Sequence, residues 1–249
     1  MRIEDFFKEF SVSDSETIDS VLGYYKNLLD AISRSSGQSF YVIDYHKKGF
    51  AYVSSNPLFL CGRPVEEVLR KGYYFYEEIM SEEDLDMLLE INQKGFGMYH
   101  SMPVEKRINM VISYDFHLIQ PNRKRLMVNH KLTPILLTDS GEIWLALCIV
   151  SLSTNDKPGN VFIRINGGLH HFRYSFAGKR WHNEEIVSLS EREREVLLLS
   201  AEGYANDKIG DKLFIDVNTV KFHKRKLFEK FNVSNIAEAI TFARNNWLL

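Results

Sequence analysis

Cysteine is scarce. The 249 residues hold two, Cys61 and Cys148, and neither stands at a metal-ligand spacing, so no cysteine-built metal site is expected. Both sit among apolar residues, where a thiol packs as a small hydrophobe in a reducing compartment. Long hydrophobic runs are missing too. The longest strongly apolar stretch, Ile143 to Val150, is far too short to cross a bilayer. No basic-then-apolar leader opens the chain, because Met1 to Phe10 mixes acids with aromatics. We therefore expect a cytoplasmic protein with no membrane contact. Excess charge is lacking as well: the formal net charge is −2, which leaves no whole-molecule attraction to nucleic acid. Gly-rich phosphate loops, His-Glu-x-x-His zinc sites and Gly-x-Ser-x-Gly elbows do not occur, and an enzyme is not expected.

What is present suffices for two ordinary domains, with 45% hydrophobic residues to build their cores. Between Ser15 and Ser33, Ile18, Val21, Leu22, Tyr25, Leu28, Leu29 and Ile32 form a helical stripe. This stripe can bury on its own domain or pair with a second chain, and periodicity does not choose between them. From Ser39 the period changes. Phe40 to Asp44 and Phe50 to Ser54 read as a strand pair turned at Lys47-Lys48-Gly49. Short helices from Asn56 to Lys71 are broken by Pro57, Gly62-Arg63-Pro64 and Gly72. A longer helix starts at Ser81-Glu82-Glu83-Asp84, with its acids where the helix dipole favours them. Three strands follow, about Arg107 to Ile119, Arg123 to Leu137 and Ile143 to Ser153. Tyr73, Tyr74, Phe75 and Tyr76 can line a pocket, but filling a core is the preferred reading.

Two strands, short helices, then three long strands resemble the layout of a PAS domain over residues 38–154. The turn at Gly49, the Ser55-Asn56 and Glu83-Asp84 helix starts and the Asp139-Ser140-Gly141-Glu142-Ile143-Trp144 hairpin carry the likeness. The resemblance implies a sensor, with a pocket between the sheet and its helices. PAS domains variously hold haem, flavin, small metabolites or nothing. His100, His117 and His130 fall in or near the sheet, where a lone histidine is more often structural than a haem ligand. Cys61, in Leu60-Cys61-Gly62-Arg63, does not match the reactive-cysteine helix of flavin photoreceptors. No cofactor is expected, and a small-molecule ligand remains open.

Residues 155–186 read as a linker with a β-hairpin, Val161 to Ile165 and Leu169 to Phe176 around Asn166-Gly167-Gly168. His170, Phe172, Tyr174 and Phe176 would share one face, and the adjacent His170-His171 point to opposite faces, so they cannot share a metal. From Lys157 to Asn183 there are five Lys/Arg and no acid. A hairpin packed on its domain, with basic tips in water, is preferred to a phosphate-facing arm.

The last quarter is the most informative. Ser190 and Glu193, just ahead of Val196, Leu197 and Leu199, are a capping-box start, and Gly203 marks a C-terminal cap. A helix from Asn206 to Leu213 follows. Asp216 can cap a third, in which Val217, Val220, Leu227 and Phe231 face inward while Lys221, Lys224 and Arg225 are left outward. From Val217 to Lys230 there are five Lys/Arg against one acid, Glu229. Two short helices joined by a tight turn, the second cationic, are the helix-turn-helix arrangement for the major groove.

Leu189-Ser190-Glu191-Arg192-Glu193-Arg194-Glu195-Val196-Leu197, Gly203, Ile209-Gly210, Leu213, Thr219-Val220-Lys221-Phe222-His223 and Lys230-Phe231-Asn232-Val233 resemble the LuxR-type DNA-binding domain. Ala205 stands where that family usually has a capping Ser, so Asn206 is expected to cap. Gly210 replaces a usual Ala, and Ile236 a usual Arg. The resemblance places Lys221, Phe222 and Arg225 against base edges. Thr219 and Lys208 suit phosphate oxygens, as do Lys224 and His223, the latter equally able to be half-buried. A final helical stripe, Ala237, Ile240, Ala243 and Trp247, either dimerises or packs on its own domain.

The expected fold class is α+β: a PAS-like antiparallel sheet with short helices, then an all-α four-helix LuxR-type domain. The segments are 1–37 (N-terminal helix), 38–154 (sensor), 155–186 (linker with hairpin) and 187–249 (helix-turn-helix). The expected function is a one-component transcriptional regulator, a homodimer on double-stranded promoter DNA, possible contact with RNA polymerase included. The competing readings are a protein-interaction module that holds RNA polymerase or another regulator, and a haem- or flavin-loaded sensor.

Overall fold

The computed structural model describes residues 16–153, 155–166, 170–185, 188–245 and 248–249. It divides into two units, Met1–Glu184 and Glu185–Leu249. The first unit opens with α1 (Glu16–Ser36), β1 (Ser39–Asp44) and β2 (Gly49–Val53). Asp44 shapes the first turn, its Oδ1 accepting the His46 and Lys47 amides, each at 2.9 Å. Next come α2 (Pro57–Leu60), α3 (Val65–Lys71), a 3-10 turn at Gly72–Tyr74, α4 (Phe75–Ile79), α5 (Glu82–Ser101) and α6 (Val104–Arg107). Asn56 caps α2 by accepting from the Leu58 amide, and Ser81 caps α5 by accepting from Asp84 N, as side-chain oxygens do at helix starts. Six strands complete the unit: β3 (Met110–Ile119), β4 (Arg125–Leu137), β5 (Ile143–Leu152), β6 (Gly159–Ile165), β7 (His170–Ser175) and β8 (Arg180–Glu185).

They form one sheet in the order β2-β1-β5-β4-β3-β6-β7-β8. β1 and β5 are antiparallel neighbours with Tyr41 opposite Cys148, and β5 pairs β4 with Cys148 opposite Leu132. The first five strands and the helices between β2 and β3 have the expected PAS-like layout. Helices cover one sheet face, where Tyr41, Phe116, Val128 and Val150 meet Phe59, Phe75, Leu88 and Ile91. On the other face Phe40, Val42, Tyr52 and Leu145 pack against Leu29 of α1. Thus α1 does bury one edge on its own domain, while Tyr25, Leu28 and Ile32 of the expected stripe stay exposed. The side chains of Ile18, Val21 and Leu22 lie outside the described residues.

Several expectations need correction. Residues 155–186, expected as a linker with a β-hairpin, do hold that hairpin packed on its own domain as preferred, but the stretch also extends the main sheet. β6 pairs with β3, β7 with β6, and a third strand, β8, follows that the reading lacked. The hairpin tip at 167–169 lies outside the described residues. Trp181 donates its indole N–H to the Lys94 carbonyl at 3.3 Å, and Tyr174 donates to Glu90 Oε1 at 2.7 Å, so this extension is fastened to α5. Phe172, Tyr174 and Phe176 pack on the main core, whereas His170 is exposed. Arg107 does not open a strand. It ends α6, buried, with its guanidinium donating to the carbonyls of Met102, Gly141 and His100 at 3.0–3.1 Å. Tyr73, Phe75 and Tyr76 are core, as preferred, but Tyr74 is exposed.

Within the core lies a polar knot. Tyr41 Oη contacts Tyr76 Oη and sits 2.5 Å from His130 Nε2. Burial holds the His130 imidazole down to about 3, so the ring is neutral, and among the described residues its Nδ1 has no hydrogen-bond partner. Beside the knot, between α5 and the sheet, a small pocket, partly open to solvent, is lined by Tyr45, Asn92, Gly95, Tyr99, Tyr114 and Leu132 among others. Among the described residues no group of three or more side chains can hold a metal ion, and no helix is long and apolar enough to cross a membrane.

A buried neutral histidine makes stability depend on pH with a definite sign. Below about 6.5 the unfolded chain protonates His130, whereas the folded chain does not until about 3. Between those values the unfolded state binds more protons, so stability falls as pH falls, by about 1.4 kcal/mol per pH unit for this group. Denaturant unfolding from pH 7 to pH 4 should show a shallower loss in His130→Gln than in the wild type; equal slopes would contradict this assignment.

Candidate nucleic-acid interface

The second unit is four helices: α7 (Glu191–Ala201), α8 (Asn206–Leu213), α9 (Val217–Phe231) and α10 (Ile236–Asn245). The capping box forms as expected. Ser190 Oγ accepts the Glu193 amide at 3.3 Å, and Glu193 Oε2 accepts the Ser190 amide at 2.8 Å. The same carboxylate meets Lys230 Nζ at 2.6 Å, which ties the start of α7 to the end of α9. After α7 the chain turns at Gly203 (φ +89°), with Tyr204 N donating to Leu199 O at 3.1 Å. Gly spares the Cβ penalty of that left-handed turn.

Asn206 does not cap α8. Ala205 occupies the N-cap position without a side-chain bond, and Asn206 is the first helical residue. Gly210 has a clear reason: a Cβ there would lie 2.7 Å from the Ile215 carbonyl oxygen, while Ile215 N closes the turn by donating to Gly210 O at 3.0 Å. The departure from Ala thus allows the α8–α9 turn to tighten. Asp216 Oδ1 caps α9 by accepting the Asn218 amide at 2.7 Å.

Two small cores orient α9. Val220 meets Val196 and Ile209, with all three fully buried, and Leu227 and Phe231 pack with Leu197, Ala239 and Ala243. Val217 is half-buried. On α10 the inward set is Ile236, Ala239, Ile240 and Ala243, and Ala237 is exposed. The expected stripe was therefore misplaced at Ala237; Trp247 lies outside the described residues. Packing on α7 and α9 accounts for this face of α10.

Opposite the cores, Asn218, Lys221, Phe222, Arg225 and Glu229 are all exposed, at the i, i+3, i+4, i+7 spacing of one helix face. Of the expected base-facing set, Lys221, Phe222 and Arg225 lie together on this stripe. The Phe222 side chain carries the Arg225 and Lys226 charges at 5.9 and 5.8 Å from its ring centre, which holds the cations at the exposed surface. Glu229 lies 3.8 Å from Arg225 Nε and 3.4 Å from Lys226 Nζ. Thr219, His223 and Lys224 flank the stripe and are half-buried; burial also lowers the pKa of Lys224. Lys224 is therefore less outward than expected. Lys208 is exposed on α8, paired with Asp211 at 3.3 Å. The expected base-facing set did not include Asn218 or Glu229, although their spacing from Arg225, seven residues before and four after, puts them on the same stripe.

This arrangement defines the class: a helix-turn-helix domain with its second helix exposed along one polar, cationic edge. Residues 187–243 match the family model described as bacterial regulatory proteins, luxR family, so the C-terminal domain is of the LuxR type. Over 67 residues the chain is 40% identical to the oxygen regulatory protein NreC of Staphylococcus carnosus, which is 27% of this chain and 31% of that protein. It is 44% identical over 62 residues to the transcriptional regulatory protein LiaR of Bacillus subtilis, 25% of this chain and 29% of that one. The chain thus spans less than a third of the curated relatives it matches. Among solved structures, the Vibrio cholerae VqmA dimer in the absence of target DNA is 16% identical, covering 86% of this chain and 85% of its own at a TM-score of 0.35. A light-oxygen-voltage domain studied with a flavin analogue, also 16% identical, covers 52% and 87% at a TM-score of 0.38. What those proteins bind is theirs alone.

Glu193 joins the cap of α7 to the end of α9, so its removal should loosen the whole domain. Glu193→Ala should cost about 2–3 kcal/mol, combining a lost cap with a lost charged hydrogen bond. Native-state hydrogen exchange of α7 and α9 amides in the full chain reads this. Loss confined to the first turn of α7 would show that the Lys230 link contributes nothing.

Proposed function

We propose that the chain is a one-component transcriptional regulator, in which the PAS-like unit senses a ligand or partner and the LuxR-type domain binds promoter DNA. The observation that carries this reading is the α9 stripe. Its cationic edge is exposed while the opposite edge is fully buried, so the helix can enter a major groove without unfolding anything. Lys221, Phe222 and Arg225 meet base edges. Arg225 suits a guanine through a forked pair of hydrogen bonds, and Phe222 suits a thymine methyl. Thr219, Lys208, His223 and Lys224 position the domain on phosphates.

One small domain grips DNA weakly, and a homodimer on an inverted repeat supplies the second half-site. Among the described residues the lining of the pocket beside α5 holds no Asp, Glu, Lys or Arg; that favours an uncharged ligand, since a buried charge needs a partner. Such a protein acts by binding rather than catalysis, in the cytoplasm where its operator lies. Contact with RNA polymerase would follow from promoter binding.

Gel-shift with the full chain against genomic fragments at stated salt tests the reading; no preference for any fragment would overturn it. On the selected site, Arg225→Ala should cost about 1–3 kcal/mol and relax sequence preference. Lys224→Ala should weaken selected and random duplex alike and reduce the salt slope by about one. Equal losses on both duplexes for both variants would overturn these roles.

A further inference from the structure

We propose that Asn218 is a specificity-determining residue that reads an adenine about three base pairs from the guanine met by Arg225; this rests on the DNA-binding reading above. Asn218 stands in the first turn of α9, where a recognition helix presents its side chains to base edges. It is exposed and in line with Lys221, Phe222 and Arg225. Its backbone N–H is taken by Asp216, and among the described residues its carboxamide makes no hydrogen bond, so donor and acceptor are both open. Asparagine is a modest helix former, and a helix start favours acids. α5 and α7 follow that rule with Glu82, Glu83 and Asp84 and with Glu191 and Glu193, but the first turn of α9 has no acid. An uncharged amide there avoids repelling phosphates and offers the pair of hydrogen bonds that fits adenine N6 and N7. Seven residues of helix separate Asn218 from Arg225, about 10.5 Å, which matches about three base-pair steps of 3.4 Å.

The test begins with duplexes selected by the full-length wild type from a randomised pool, followed by affinities for every single base-pair change in the half-site. Asn218→Ala should bind the selected duplex roughly 5- to 150-fold more weakly. It should lose the adenine preference and keep the guanine preference that Arg225→Ala removes. Asn218→Ser, which keeps a small polar side chain at the helix start, should lose the same adenine preference, and this holds the test open should the alanine variant unfold. Uniform weakening on all duplexes would mark a phosphate contact and overturn the proposal, as would a retained adenine preference or unchanged affinity. A wild type that selects no sequence would instead sink the DNA-binding reading itself.

Discussion

The inner face of α9 is the constraint on which the helix-turn-helix unit depends. Val220, Leu227 and Phe231 are almost wholly buried, each burial contributing roughly 1.5–3 kcal/mol. The two small cores follow one another along the same face of the helix, Val220 near its start and Leu227 and Phe231 near its end, and together hold it against rolling. One residue of helix is a turn of about 100°, so a one-residue slip in register would carry Val220, Leu227 and Phe231 out of their cores. The cap at Asp216 and the Glu193–Lys230 pair fix the same register from the two ends. The chemistry of the exposed stripe therefore follows from apolar packing that it does not itself touch.

The first unit has a different problem. Helices cover one face of its sheet, α1 covers part of the other, and its core holds hydroxyls and an imidazole as well as hydrocarbon. Tyr41, Tyr76 and His130 satisfy one another in part, and burial keeps all three uncharged by pushing the tyrosine hydroxyls up and the imidazole down. A buried polar group without a partner is costly, and among the described residues His130 Nδ1 is such a group. The pocket along α5 lies next to this knot, and Gly95 keeps the helix close to β3, since a Cβ there would come to 3.0 Å of Ile112.

Much of the architecture was legible because local chemistry and global fold agree. The Ser190–Glu193 box, Gly203 and the Asp216 cap each specify a helix end through one side chain or one φ angle. Strand alternation and turn residues did the same for β1 to β5. What was hidden depends on contacts distant in sequence. β8 carries Arg180-Trp181-His182-Asn183-Glu184-Glu185, with no clean alternation, and its place depends on Trp181 reaching α5. Arg107 looked like the start of a strand because a buried guanidinium held by carbonyls leaves no periodic trace. On α10, Ala237 and Ala239 are alike in composition, and only the position of α7 decides which one is buried. For the candidate interface the cationic residues were legible from charge and spacing together, but Asn218 was not, because an uncharged member of the stripe is marked by spacing alone.

The central claim is that α9 occupies a major groove. Methylation interference on a selected duplex tests it directly, because guanine N7 faces the major groove and adenine N3 the minor groove. The account predicts that N7 methylation blocks the full-length protein at two patches about one helical turn apart, while N3 methylation there has little effect. Interference from adenine N3 alone, or binding indifferent to both, would contradict it.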